Sequence, residues 1–286
     1  LKPNLGIITN ISYAHSKNFK NIKGIADAKS EIINNIKQDG ALILNADDYF
    51  FSYHKIKALR RNLKVVSFGI DNKDSSIKLD KIQKYKKKYK LFIRVNDSLT
   101  FFYSNTNSRS YIQNLLATVT SLNLFFDINL ISKNIFLDFN SPEGRGDFSK
   151  IKSKSKVVNL IDESYNSNPL SLKTALINFN NLETKNKKKH VILGDMLELG
   201  IHSIQQHKLI NKIINKTNID KVHVIGKHIK KTYEGINKDK RGVIMSRTRE
   251  IIDLINKKLG NNDYLMIKGS NSTGLYKATQ DLKKKN

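Results

Sequence analysis

The sequence predicts an α/β protein that consists of two domains. Short apolar runs alternate with longer segments of helical period, which is the pattern of βαβ units on a parallel sheet. The 286 residues are enough for two domains of ordinary size. The segment "NSPEGRGDFSK" (140–150) is polar and rich in turn residues, so we place a boundary there, with domains at 1–143 and 144–286.

The first domain is predicted to begin as a parallel sheet and to end differently. The runs "LFIRV" and "LTFFY" within 76–103 are short and closely spaced, which predicts an antiparallel meander. The other predicted elements are strands near 5–9, 41–44 and 64–68, and helices near 21–37, 50–61, 110–126 and 131–137.

The second domain is predicted to be doubly wound and Rossmann-like, because helical segments separate five apolar runs. These predicted strands are "KVVNLI" (156–161), "HVILG" (190–194), "KVHVIG" (221–226), "GVIMS" (242–246) and "YLMIKG" (264–269).

The composition disfavours nucleic-acid binding despite a formal charge of +26. Of the 51 cationic residues 43 are lysine and only 8 are arginine, the residue that base readers favour. We expect the runs "KYKKKYK" (84–90), "KNKKKH" (185–190) and "KKK" (283–285) to be solvated charge in loops or at the end. The absence of cysteine excludes disulfides and favours a cytoplasmic location. No apolar run reaches about 18 residues, so we expect no membrane insertion.

Polar clusters follow the predicted strands, at the edge where open α/β sheets bind ligands. Strand-ending turns favour the same residue types, so one cluster would mean little. Five clusters leave two alternatives open. They could form a ligand site shared between the domains, or they could be ordinary turns. The clusters are Asn10 with the loop to His15, Asn45–Asp48, Asp162–Pro169, Gly194–Gly200 and Lys268–Ser272.

Lys29 lies four residues after Ile25 and four before Ile33, which places it on the apolar stripe of a predicted helix. Such a lysine either extends its ammonium to water, which geometry favours, or is partly buried. A buried neutral amine could react with carbon dioxide, and the carbamate would be a carboxylate-like metal ligand. His15 could supply a second ligand, although a lone loop histidine is more often solvated.

Helix initiation explains part of the later motifs. Asn168 is predicted to cap a helix that begins at Pro169. In "GDMLELGIHSIQQH" the carboxylates and histidines could bind a metal, but capping of the following helix explains them nearly as well. The residues of the second motif concerned here are Asp195, Glu198, His202 and His207. In the first motif, helix initiation leaves Asp162, Glu163, Tyr165 and Asn166 unexplained.

These motifs together resemble the Mur ligase family over almost the entire chain. The family pattern reads "TNI-x-x-AH", "AK-x-E", "NADD", "GRG", "DDSYNANP", "GDM-x-ELG" with a following Ser and His, and "KGSRS". The pieces "SYNSNP" and "GDMLELG" indicate the branch that joins D-alanyl-D-alanine to UDP-N-acetylmuramoyl-tripeptide. The matching residues are Thr9–His15, Ala28–Glu31, Asn45–Asp48, Gly144–Gly146, Asp162–Pro169, Gly194–Gly200 with Ser203 and His207, and Lys268–Ser272.

The resemblance implies a central ATPase domain followed by a Rossmann-like C-terminal domain. The sequence contains no G-x-x-x-x-G-K-[ST] P-loop and opens on Leu1 just before a strand, so we expect a missing N-terminal portion and no turnover by this chain alone. The implied reaction transfers the γ-phosphoryl group of ATP to the peptide carboxylate, and the dipeptide amine then displaces phosphate from the acyl phosphate.

The resemblance also implies a role for individual residues. It makes His15 a Mg²⁺ ligand and Lys29 the carbamylated lysine that binds a second metal, both catalytic. Asp195, Glu198 and Ser270 would lie on the peptide and dipeptide side. The nucleotide would be contacted by Asn45, Arg145, Glu163, Asn166 and Asn168.

Three departures from the pattern keep other functions open. Glu163 stands where the family usually has Asp, Asn271 where it has Arg, and "SRSY" (108–111) where a "GRHN"-like sequence is usual. An Asn donates only neutral hydrogen bonds, so recognition of an anionic substrate group is in doubt. The alternatives are a non-catalytic remnant or interaction module of the same fold, and a sister ligase such as folylpolyglutamate synthetase.

Overall fold

The computed structural model describes residues 2–139 and 141–284, and the chain divides into two compact units. The first unit comprises the residues up to Ile11 and those from Asn21 to the boundary before Ser141. The second comprises Ser12–Lys20 and the chain from Ser141 onward. The α/β class is confirmed, and the predicted boundary between residues 143 and 144 stays a prediction.

The first unit contains a six-stranded sheet in the order β1-β2-β3-β4-β5-β6. Neighbours from β1 to β4 are parallel, and β4, β5 and β6 form the predicted antiparallel meander. The elements are β1 (Leu5–Ile8), α1 (Ile22–Asn35), β2 (Ala41–Asn45), α2 (Phe51–Leu59), β3 (Lys64–Gly69), β4 (Ile77–Tyr85), β5 (Lys88–Val95), β6 (Ser98–Ser104) and α3 (Arg109–Leu122).

The helix predicted near 131–137 is wrong, since the structure has turns there. Within this segment Ile135 donates its N–H to the carbonyl of Ser132 at 3.1 Å and Leu137 donates to that of Asn134 at 2.9 Å, which closes two turns, and two of its carbonyls accept from the end of the sheet. Tyr103 donates its N–H to the carbonyl of Lys133 at 2.8 Å, and the Asn105 side chain donates to the carbonyl of Leu137 at 2.6 Å. Phe136 is buried in the core of this unit, so its apolar signal came from packing and not from helical period.

The second unit contains a six-stranded sheet in the order β11-β10-β9-β12-β8-β7. All neighbours are parallel except β7, which runs antiparallel to β8. The elements are β7 (Asp147–Ser153), β8 (Lys156–Asp162), α4 (Pro169–Asn180), β9 (Lys189–Gly194), α5 (Ser203–Asn215), β10 (Lys221–Ile225), α6 (Lys230–Glu234), β11 (Arg241–Met245), α7 (Glu250–Lys258), β12 (Tyr264–Lys268) and α8 (Leu275–Lys284).

Strand β7 is the element of this sheet that the sequence does not predict. It lies at the sheet edge, and of its two large apolar side chains Ile151 is buried whereas Phe148 is exposed. Such a strand carries too little apolar pattern to stand out from the turn-rich segment before it. The five parallel strands are confirmed, because both of their faces are covered: Val191 and Leu193 pack in one core cluster and Ile192 in the other.

Two lysines in the runs predicted as solvated charge are not solvated. Lys189 is 4% exposed and donates to the carbonyl of Asn180 at 2.6 Å and to the side chain of Asn218 at 3.0 Å. Lys283 pairs with Asp147 and Asp162, and residue 285 of that run lies outside the described residues. Across residues 2–139 and 141–284, no helix is both long enough and apolar enough to cross a membrane.

Candidate functional site

Asn45 joins the ends of the first two strands in the sheet of the first unit. Its side-chain N–H donates to the carbonyl oxygen of Thr9 at 2.9 Å, and its side-chain oxygen accepts from the backbone N–H of Asp47 at 2.9 Å. Asp48 accepts from the backbone N–H of Ile11 at 2.7 Å. These bonds fix the turn at the carboxyl end of β2, where sheets of this class bind ligands. The predicted contact of Asn45 with a nucleotide stays a prediction.

Asp47 organises the turn that follows β3. Its carboxylate accepts from the backbone N–H groups of Ile70, Asp71 and Asn72 at 2.7, 3.1 and 2.8 Å. Arg109 at the start of α3 donates to both carboxylate oxygens of Asp71 and lies 3.7 Å from Asp47. The guanidinium holds the pKa of the Asp71 carboxyl below its usual range. This ion pair is not predicted from the sequence, where the available signal is an acidic residue just after a predicted strand.

Lys29 lies in α1, as predicted, and its side chain is exposed. The neighbours on the apolar stripe, Ile25 and Ile33, are buried. The structure therefore favours the extended, solvated lysine over the buried amine. His15 and Lys29 belong to different units, and their joint metal site stays a prediction.

His15 and Glu198 contact each other within the second unit. Nδ1 of His15 meets a carboxylate oxygen of Glu198, and both side chains are largely exposed. Both residues have a left-handed backbone, with φ of 54° and 62°. The loop that carries His15 is held to this unit by Ser16, whose hydroxyl donates to the carbonyl of Leu199 at 3.4 Å. The predicted substrate role of Glu198 stays a prediction, and its contact with His15 is not foreseen from sequence.

The Gly144–Gly146 turn and the loop after β8 are bonded to each other. Gly146 donates its N–H to the carbonyl of Asp162 at 2.7 Å, and Tyr165 donates its N–H to the carbonyl of Gly144 at 3.0 Å. Both glycines have positive φ, 73° and 94°, which glycine adopts without strain. The guanidinium carbon of Arg145 lies 4.4 Å above the centre of the Tyr165 ring. The turn therefore presents an exposed arginine that is supported from below by an aromatic ring.

Lys268 at the end of β12 holds the same loop from inside the unit. It is 2% exposed, and its ammonium donates to the carbonyl of Asn166 at 3.0 Å, to the carbonyl of Glu163 at 3.4 Å and to the Glu163 carboxylate at 3.3 Å. Burial lowers the pKa of Lys268 and raises that of Glu163, while the attraction between the two charges opposes both shifts. Lys268 belongs to a motif in the sequence, but the sequence does not predict its role.

Asn168 caps α4, as predicted from the sequence. Its side-chain oxygen accepts from the backbone N–H of Ser171 at 2.9 Å, and the Ser171 hydroxyl accepts from the N–H of Asn168 at 3.0 Å. The Asn166 side-chain oxygen accepts from the N–H of Ser167 at 2.8 Å. Both asparagines shape the loop at the end of β8, and their predicted contact with a nucleotide stays a prediction.

Asp195 and Ser270 tie together the carboxyl ends of three neighbouring strands. The carboxylate of Asp195 accepts from the backbone N–H groups of Lys227 and Ile229 at 3.0 and 2.7 Å. Ser270 donates its N–H to the carbonyl of Asp195 at 3.0 Å, and its hydroxyl accepts from the N–H of Leu197 at 2.8 Å. Both side chains thus have structural partners, and their predicted substrate contacts stay predictions.

His207 has a structural role in this region. Its Nδ1 donates to the carbonyl of Ser203 at 2.7 Å and its Nε2 accepts from the N–H of Met196 at 3.0 Å. This pattern requires the neutral ring, and burial lowers its pKa accordingly. In the described part of the chain, no three His, Asp or Glu side chains come together as a metal site. The contact of His15 with Glu198 gives one imidazole and one carboxylate, a donor pair that Mg²⁺ could use with phosphate oxygens and water.

Three kinds of comparison place this chain among known proteins. Residues 1–122 match the Mur ligase middle domain, and residues 148–271 match the family described as Mur ligase, glutamate ligase domain. The UDP-N-acetylmuramoyl-tripeptide–D-alanyl-D-alanine ligase of Rickettsia prowazekii is 28% identical over 280 residues, which cover 97% of this chain and 60% of that protein. The enzyme of the same name from Bacillus subtilis is 25% identical, with 98% and 59% covered.

Solved structures show the same fold. MurF from Acinetobacter baumannii superposes with a TM-score of 0.83 at 23% identity, covering 99% of this chain and 60% of that one. MurF from Thermotoga maritima, solved in complex with ADP, gives 0.79 at 19% identity, with 100% and 64% covered. The chain spans about 60% of the length of these relatives. Two family domains in the expected order, on two sheets of the expected topology, show that the chain belongs to the Mur ligase family.

Proposed function

We propose that this chain forms the central and C-terminal parts of an ATP-dependent amide ligase that adds D-alanyl-D-alanine to UDP-N-acetylmuramoyl-tripeptide. The observation that carries the proposal is the likeness to ligases of that name over 97% of this chain, at 28% identity. The discriminating motifs, Asp162–Pro169 and Gly194–Gly200, follow β8 and β9, the two strands that flank β12 in one sheet. Such an enzyme would act in peptidoglycan precursor synthesis in the cytoplasm.

The chemistry consists of two displacements. The peptide carboxylate attacks the γ-phosphorus of ATP and ADP leaves, which gives an acyl phosphate. The dipeptide amine then attacks the acyl carbon, phosphate leaves, and the amine proton passes to solvent or a base. The protein must bring two anions together and exclude water from the acyl phosphate.

The second unit would contribute four of the predicted nucleotide contacts. Arg145 is exposed and supported by Tyr165, so its guanidinium is free to pair with a phosphate or to contact the ribose. Glu163 has one carboxylate oxygen on Lys268, and its other oxygen faces the backbone of Gly146. A ribose hydroxyl could donate to that second oxygen. Asn166 and Asn168 would border the same loop.

By the family resemblance, His15 in the second unit would bind Mg²⁺, and a carbamylated Lys29 in the first unit would bind a second metal ion. Mg²⁺ bound there would neutralise phosphate charge during phosphoryl transfer. Glu198 contacts the ring of His15 and orients it in the structure.

Nuclear magnetic resonance titration tests the nucleotide part. We expect ADP to shift the backbone signals of Gly144–Gly146 and of the 163–168 loop. Arg145→Ala should weaken binding at least fivefold. Arg249→Ala is the matched control, because this exposed arginine follows β11, a strand four positions from β8 in the sheet. The proposed nucleotide site would be contradicted if both variants lost the same ADP affinity, or if ADP shifted none of these backbone signals.

A second titration tests the substrate class. D-alanyl-D-alanine is expected to shift the signals of Glu198 and Ser270, and L-glutamate at the same concentration is expected to leave them unchanged. The reverse result would favour a glutamate-adding sister ligase. No response to either compound would favour the non-catalytic remnant.

A further inference from the structure

The loop that follows β8 depends on one buried cation. Lys268 reaches this loop from β12, the neighbouring strand, and its ammonium donates to the carbonyls of Glu163 and Asn166 and to the Glu163 carboxylate. All three acceptors belong to residues 163–166, so a single ammonium bonds to both ends of this four-residue segment. An ammonium has three N–H donors, and each therefore has an acceptor in the loop.

The same segment carries the support of Arg145. Tyr165 lies between the two residues that Lys268 holds, its ring lies under the guanidinium at 4.4 Å, and its N–H bonds to the carbonyl of Gly144 at 3.0 Å. A shift of the 163–166 segment would therefore move the ring and the glycine turn together. Lys268 itself is buried and cannot reach a ligand in solvent.

We propose that Lys268 is a positioning residue that sets the orientation of Arg145 for an adenine nucleotide by fixing the 163–166 loop. The inference rests on the proposed function for its ligand. Its structural half, the order of the loop, stands on the hydrogen bonds alone. The ammonium acts through the loop, because its bonds end on loop carbonyls and on a loop carboxylate.

The chain offers a matched control at the opposite end of the sheet. Lys189, the first residue of β9, is 4% exposed and also donates to a backbone carbonyl and to a side-chain oxygen, those of Asn180 and Asn218. Lys268 is the last residue of β12, which pairs in parallel with β9. Replacing either lysine by methionine removes a buried ammonium of the same unit, but only one of them lies beside the loop.

The first measurement is amide hydrogen exchange without nucleotide. In Lys268→Met we expect the exchange of the Gly146 and Tyr165 amides to accelerate at least tenfold, since both bond across the glycine turn and the loop. Lys189→Met should leave these two amides unchanged. Wild-type protection at both amides in Lys268→Met would overturn the positioning role.

The second measurement is ADP affinity in a double-mutant cycle. Lys268→Met should weaken ADP binding at least fivefold, and Lys189→Met should not. Because Lys268 acts through Arg145, adding Lys268→Met to Arg145→Ala should cause no further loss of ADP affinity. Additive losses would overturn the route through Arg145. If the wild-type chain does not bind ADP, the proposed function and the role of Lys268 in nucleotide binding are both overturned. The role of Lys268 in ordering the 163–166 loop is tested separately, by the hydrogen exchange measurement.

A further variant tests the effect of the Glu163 carboxylate, which loses its cationic partner in Lys268→Met. Lys268→Met leaves the Glu163 carboxylate without its cation, so Glu163→Gln/Lys268→Met restores a neutral pair. This double variant should fold with near wild-type stability and still show fast exchange at Gly146 and Tyr165, because the loop carbonyls have lost their donor. Restored protection in the double variant would show that the loss came from an isolated carboxylate, and would overturn the proposal.

Discussion

The imidazole rings of His190 and His223 stack with their planes 3° apart, and Nδ1 of His190 lies 3.2 Å from Nε2 of His223. Nδ1 of His223 accepts from the backbone N–H of Val243 at 2.9 Å, so its proton is on Nε2 and points to His190. Nε2 of His190 must then carry the other proton, and it lies 3.6 Å from the carboxylate of Asp263. Both rings are neutral in this arrangement, and they are buried on the neighbouring strands β9 and β10.

This buried pair predicts that the second unit loses stability in acid. Burial lowers the pKa of both rings, that of His223 to about 3. An unfolded histidine has a pKa near 6.5. Between these values the unfolded chain binds more protons, so the free energy of unfolding falls as the pH drops below about 6.5, with a slope up to about 1.4 kcal/mol per pH unit for one histidine. Urea unfolding at pH 7, 6, 5 and 4, followed on signals of this unit, measures the slope.

His223→Gln separates this pair from other titrating groups. A glutamine can accept from Val243 and donate to His190 without titrating. The slope of the free energy of unfolding between pH 6 and pH 4 should therefore decrease by about 1.4 kcal/mol per pH unit, which is the contribution of one proton. An unchanged slope in His223→Gln would mean that the pair does not cause the acid sensitivity.

Asp195 gives a second prediction, which concerns the loop before α6. Its carboxylate holds the N–H groups of Lys227 and Ile229, and a Cβ atom on Gly226 would collide with it. Asp195→Ala leaves two amides without their acceptor, so we expect it to lower the free energy of unfolding by about 2–4 kcal/mol. Asp195→Asn keeps one acceptor oxygen and should cost about half as much. Urea unfolding measures both; a fully stable alanine variant would contradict the bracing role and favour the substrate role.

The fold was predictable wherever an element carried a clear apolar period. The parallel strands of both sheets are continuous apolar runs because they are covered on both faces, and the sequence predicts them close to their observed positions. The edge strand β7 buries one large side chain, and the segment 131–137 packs Phe136 without forming a helix. In both places tertiary contacts decide the structure, and local pattern does not report them.

The site was predictable as a set of motifs and not as a set of contacts. The sequence identifies the loops that carry Arg145, Glu163 and Asp195, because polar residues follow apolar strands there. It does not reveal that Lys268 holds one of these loops, since that bond joins residues about a hundred positions apart. It also does not reveal that His15 meets Glu198, because a contact over 183 positions leaves no local signal.

The last prediction compares two aspartates near Arg109 in the first unit. The side chain of Asp47 is 7% exposed and accepts three backbone N–H groups. The side chain of Asp71 is 69% exposed and pairs with the guanidinium of Arg109. The change to asparagine preserves shape in both. Asp47→Asn turns a donor toward buried amides, so we expect a loss of about 2 kcal/mol.

Asp71→Asn should change the free energy of unfolding by less than about 1 kcal/mol, because an exposed ion pair is weakened by water and salt. Raising the salt concentration to 1 M should remove most of this small effect and leave that of Asp47→Asn unchanged, since backbone N–H groups carry no net charge to screen. Urea unfolding followed on signals of the first unit, at low and high salt, measures all four values. Equal losses in the two variants would show that the ion pair with Arg109, and not the bonds to residues 70–72, makes Asp47 important.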